Sequence, residues 1–135
     1  MQTKGALTYV SNAFPGAFLK NIFYVTLAGT AVTVDAKSDS YKKGSIEEFA
    51  SSSYPQVSGT SEQEQVGDGV VPLSAAHLPG AVQISLPGVY HSINAPNGNW
   101  YGGDDVIDIW LGAVLAGYRK CIQNGNQPSA LLLDY

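Results

Sequence analysis

The chain has 135 residues, 44% of them apolar and 13% charged, with a net charge of −4. That length and composition suit one globular domain able to bury a real core. The seven Lys plus Arg do not cluster beyond Lys42-Lys43 and Arg119-Lys120, which excludes a phosphate-tracking surface and makes nucleic acid an unsuitable partner. Cys121 is the single cysteine, so an internal disulfide and a multi-thiolate zinc site are excluded as well. No run approaches the ~20 apolar residues that a transmembrane segment requires. The amino terminus shows no targeting pattern, and the compartment stays undecided, with cytoplasm and plastid both compatible.

In chain order, Leu7, Val10 and Phe14 are spaced for a short amphipathic helix over Gly5 to Phe14, which Pro15-Gly16 stops. Asn21 to Leu27 is almost continuously apolar or β-branched, as in a strand covered on both faces of a parallel sheet. Gly29 to Val66 then loses periodicity and turns polar. Within it, the capping box Ser45-Ile46-Glu47-Glu48 starts a short helix expected to run through Phe49. This excursion leaves one sheet edge and returns to it, so a cap or lid over 29–66 is expected beside the site.

Ala81 to Leu86 alternates, with Val82, Ile84 and Leu86 on one face, which predicts a strand near a sheet edge. Gly103 or Asp104 caps the next helix, and Asp104 and Asp105 suit its amino-terminal dipole. The stripe expected to be buried is Ile107, Trp110, Leu111, Val114, Tyr118, Cys121 and Ile122. Arg119 and Lys120 fit its last turn, Asn124-Gly125 ends it, and 124–135 reads as a tail.

The chemistry-bearing residues lie between Gln65 and Leu111. Gly67-Asp68-Gly69 is by itself an ordinary surface turn. Followed by Val70-Val71-Pro72, a strand, and then Tyr90-His91-Ser92, it has the order of the acid and base that follow the nucleophile in a hydrolase triad. In acyl transfer the imidazole takes the nucleophile's proton and returns it to the leaving group, while the carboxylate fixes the imidazole's tautomer. Asp68 and His91 would fill those roles, the flanking glycines leaving room for the ring. His77, the other imidazole, lies in the short Leu73 to Leu78 segment, where a surface or packing role is the ordinary one, whereas His91 lies in a loop after a strand. Ser92 and Tyr90 read as support. Trp100 and Tyr101 are either walls of an acyl or alcohol pocket or ordinary core.

Gly67 to Pro72, Ser74 to Leu78, Gly88 to Ser92 and Trp100 to Gly102 together resemble the carboxyl-terminal part of the α/β-hydrolase fold, and most of all its plant and algal lipase-like branch. The resemblance runs from the first helix to about Leu115. It implies an α/β architecture, a partial α/β-hydrolase fold made of the last strands and helices of a mostly parallel sheet. It also implies a serine hydrolase of carboxylic esters, lipase- or esterase-like, with an ester or lipid-like small-molecule substrate and no cofactor.

Two parts of that machinery are not found in the sequence. No Gly-x-Ser-x-Gly elbow occurs; Gly59-Thr60-Ser61-Glu62-Gln63 breaks the pattern at its last position. No oxyanion-hole loop is recognisable either. The two His and scattered Asp lack metal-ligand spacing, and no phosphate-cradling Gly loop is present. Three readings stay open: a single incomplete hydrolase-like domain carrying acid and base and inactive alone, a non-catalytic binding or interaction module of that shape, and a truncated product that does not fold stably.

Overall fold

The computed structural model describes residues 9–10, 12–16, 19, 22–35, 40–61 and 64–123. In order they form β1 (Val25–Thr30), β2 (Val32–Val34), α1 (Ile46–Ser58), β3 (Gln65–Gly67), α2 (Leu73–Ala76), β4 (Val82–Pro87), a 3-10 turn at Pro96–Gly98, and α3 (Asp104–Gln123). The content is mixed α/β. Strands β1 and β4 make a two-stranded parallel sheet, with Val25 opposite Val82 and Thr30 opposite Pro87. Strands β2 and β3 make a separate antiparallel pair, with Val32 opposite Gly67.

The alternation of β4 appears directly as burial: Val82, Ile84 and Leu86 are buried, while Ser85 and Pro87 are exposed. They pack with Val89, Val106 and Ala113, and Phe23, Val25, Leu27, Tyr101, Trp110 and Val114 close this first cluster. Strand β1 begins later than its apolar run, because pairing with β4 sets its register, and Ile22 is left exposed. Its other face carries Thr26 and the buried Ala28 and packs near α2.

Helix α1 starts where the capping box predicts: Ser45 Oγ accepts the Glu48 N–H at 3.2 Å. It does not stop at Phe49 but runs to Ser58, past Pro55, and ends at Gly59 in a left-handed cap. The extension is driven by contacts distant in sequence. Ala50 and Tyr54 are fully buried against Val32 and Val34, forming a second cluster with Ala31, Tyr41 and Tyr90 at its border. The 29–66 stretch therefore has a core of its own, built on strands of three residues, too short for periodicity to mark them.

The buried face of α3 differs from the expected stripe. Val106, Ala113 and Gly117 are the buried residues, whereas Leu111, Tyr118 and Ile122 are exposed. Small residues hold the buried positions, and Trp110 and Val114 of the expected stripe pack beside them on the first cluster. A Cβ on Gly117 would sit 3.1 Å from the Phe23 ring, and Tyr118 instead meets that ring from the side, with centroids 6.0 Å apart. Gly103 accepts the Ile107 N–H ahead of the first turn, where Asp104 and Asp105 stand. Of the first predicted helix, residues 9–10 and 12–13 are helical and Phe14 N–H bonds Val10 O; Leu7 lies outside the described residues, as do Asn124-Gly125 and the 124–135 tail.

Candidate active site

Asp68 follows directly on β3. Its backbone N–H donates to Val71 O at 3.2 Å, and its Oδ1 accepts the N–H groups of Val70 and Val71 at 2.9 and 2.8 Å. The side chain thus completes its own turn, a common use of Asp. Gly69 takes φ +99°, a conformation natural to glycine. The space left by the flanking glycines serves different neighbours from the imidazole expected there. At Gly67 it admits the Val71 carbonyl and the Tyr54 ring, and at Gly69 the Ile46 side chain.

The other carboxylate oxygen, Oδ2, meets two groups. His91 Nδ1 lies 2.9 Å away and the Tyr101 hydroxyl 2.9 Å away. Asp68 is 3% exposed, so the carboxylate is bonded on both oxygens within the protein. Burial alone would raise its pKa. The hydrogen bonds from Val71, His91, Val70 and Tyr101 outweigh that and hold it below the ordinary 3.8.

An ionised carboxylate only accepts, so His91 carries a proton on Nδ1, and in the neutral ring Nε2 is then the acceptor. His91 is reached after β4 through Val89 and Tyr90, and its backbone N–H is fixed on Asp68 O at 2.9 Å. The imidazole side chain is 46% exposed. Among the described residues no hydroxyl or thiol is hydrogen-bonded to Nε2.

Trp100 and Tyr101 part company. Trp100 lines a surface depression of about 410 Å³ with Asn97, Asn99, Asp104 and their neighbours, ahead of α3. Tyr101 turns inward: its hydroxyl accepts the Gly29 N–H at 2.7 Å while donating to Asp68, and its ring stands edge-on to His91 at 6.5 Å between centroids. Burial first, and the Asp68 charge after it, push its pKa up to about 12, against the pull of the Gly29 bond.

Tyr54 reaches the same turn from α1, and sequence reasoning missed it. Its hydroxyl donates to Val32 O at 3.1 Å and accepts the Gly69 N–H at 2.8 Å. Burial raises its pKa to about 12. No local pattern could have marked it, since its partners lie on β2 and after β3.

His77 stands apart from this group. Its Nδ1 is 3.0 Å from Thr26 Oγ1 and its Nε2 3.4 Å from Ser85 Oγ, bridging β1 and β4 on the face away from α3. Burial lowers its pKa. Ser92 accepts the Asn94 N–H, and Tyr90 donates its backbone N–H to Asn99 O. Ser61 is exposed beyond α1 and makes no hydrogen bond to His91.

Among the described residues no three His, Cys, Asp or Glu are grouped to hold a metal ion, and no helix is long and apolar enough to cross a membrane. Comparison with protein-family models, curated proteins and solved structures finds no match to the chain.

Proposed function

We propose that Asp68 and His91 are the acid and base of a serine-hydrolase-type site acting on carboxylic esters of the lipase or esterase class, within the carboxyl-terminal part of an α/β-hydrolase fold. In this reading the nucleophile half is either supplied upstream or lost. His91 Nε2 takes the nucleophile's proton and returns it to the leaving alcohol, while Asp68 holds the ring and stabilises the imidazolium. The observation that carries this reading is the 2.9 Å contact between a buried, fully bonded carboxylate and a half-exposed imidazole. Its test is a polypeptide in which this chain is completed by an upstream half that carries a Gly-x-Ser-x-Gly elbow. There, His91→Ala is expected to lower ester turnover by about 10⁶-fold with the fold intact. Turnover indifferent to the substitution overturns it.

A second reading has its own support. With no hydroxyl or thiol on His91 Nε2 among the described residues, the pair also fits a non-catalytic module of hydrolase shape that keeps Asp68 and His91 as structure. In that case the same substitution changes stability and leaves ester turnover untouched.

A further inference from the structure

We propose that Tyr101 is a positioning residue for the Asp68–His91 pair, its hydroxyl proton directing one carboxylate oxygen so that the imidazole is held with Nδ1 protonated and Nε2 bare. The proposal rests on reading that pair as acid and base.

A phenol has one proton to give. The Gly29 N–H, itself a donor, occupies the acceptor side of the Tyr101 oxygen at 2.7 Å, so the proton is committed to Asp68 Oδ2 at 2.9 Å. Oδ1 is meanwhile pinned by the Val70 and Val71 N–H groups. Rotation of the carboxylate about its Cβ–Cγ bond would break bonds at both oxygens. What remains on Oδ2 is an acceptor direction aimed at His91 Nδ1.

The same arrangement disfavours the competing tautomer, in which His91 carries its proton on Nε2 and turns the Nδ1 lone pair toward Asp68. Oδ2, fixed as an acceptor by the Tyr101 proton, would then face that lone pair with no hydrogen between them. Such a state could not accept a proton at Nε2. The Tyr101 ring adds a steric bound, standing at 87° to the imidazole. The titratable groups facing Asp68 are His91, Tyr101 and Tyr54, and of these Tyr101 alone shares Oδ2 with the imidazole.

The test uses the intact chain and two NMR readouts that need neither substrate nor nucleophile: the carboxyl ¹³C titration of Asp68 and the ring ¹⁵N shifts of His91. In Tyr101→Phe the ring stays and the hydroxyl goes. Loss of one charge-assisted hydrogen bond is expected to weaken Asp68 as an acid about tenfold and to raise the minor Nε2–H tautomer of His91 about tenfold. A folded Tyr101→Phe with both readouts unchanged overturns the proposal. Should that variant fail to fold, 3-fluorotyrosine placed at position 101 keeps the hydroxyl and makes it a stronger donor. The Asp68 midpoint is then expected to move downward, and an unmoved midpoint overturns the proposal. Failure of ester hydrolysis in the completed polypeptide would instead bear on the proposed function.

Discussion

The Tyr54 hydroxyl lies 2.8 Å from the Gly69 amide nitrogen, joining helix α1 to the turn that carries the acid. Tyr54→Phe removes this acceptor and the donor to Val32 O in a fully buried place. Leaving those backbone groups unpaired costs about 1–3 kcal/mol. Urea denaturation is expected to show that loss, and a stability equal to wild type would mean that water replaces the hydroxyl.

Asp68→Asn keeps an acceptor for the Val70 and Val71 N–H groups but turns an amide toward His91 and Tyr101, both of which donate to Oδ2 in the wild type. Donor then faces donor. His91 is expected to switch to the Nε2–H tautomer, which ring ¹⁵N shifts read directly. Persistence of the Nδ1–H form would show that the carboxylate does not set the tautomer.

Acid should destabilise the chain in two stages. His77 is held below its ordinary 6.5 and Asp68 below its ordinary 3.8. For a group depressed on folding, the unfolded chain binds protons first, so stability is complete above the unfolded value and falls as pH drops toward the folded one. The first loss begins below pH 6.5 and the second below pH 3.8. His77→Gln is expected to remove the first stage and Asp68→Asn to reduce the second, to which Glu47, held below its ordinary 4.5 by Ser45, also contributes, in denaturation midpoints followed from pH 8 downward.

Gly29 admits no side chain. A Cβ there would lie 2.2 Å from Val89 O and 3.0 Å from Asp68 Cβ. Gly29→Ala must push β1 away from the His91 strand connection, at a cost at the upper end of the overpacking range, about 3 kcal/mol. The His91–Asp68 hydrogen bond should loosen with it, seen as faster exchange of the His91 backbone amide. A variant as stable as wild type would refute the close approach.

The two flanks of α3 should answer differently to substitution. Ala113→Leu adds volume against Val106 and the sheet and is expected to cost about 1–3 kcal/mol. Leu111→Ala, on the 40% exposed flank, should stay within about 0.5 kcal/mol. Equal costs would mean that both flanks are buried.

The partly misplaced stripe of α3 shows where sequence reading loses its grip. Trp110 and Val114 of the expected stripe do pack on the first cluster, but Leu111, Tyr118 and Ile122, with as strong an apolar signal, are exposed, and the buried Ala113 and Gly117 carry almost none. A helix apolar on two sides does not tell which side a sheet will choose. Strand β4 was legible because burial on one face imposes a period of two on Val82, Ile84 and Leu86. The start of α1 was legible from Ser45 and Glu48, which act locally. Its end was not, because Tyr54 extends the helix through bonds to Val32 and Gly69. Asp68 and His91 could be singled out by the turn and strand that separate them, and the structure brings them to 2.9 Å. The inward turn of Tyr101 depends on Gly29, far away in the chain, and left no trace around position 101.

Tyr54 belongs to the cluster beneath α1 and Tyr101 borders the cluster beneath α3, and both hydroxyls end on the Asp68 turn. The turn is thus a shared joint, and a fluctuation that frees either helix also releases the carboxylate. Opening on one side should propagate to the other, so the two clusters melt in one step and their amides exchange with similar free energies. Heat or denaturant then removes the acid–base geometry together with the whole fold, leaving no half-folded form in which Asp68 still holds His91.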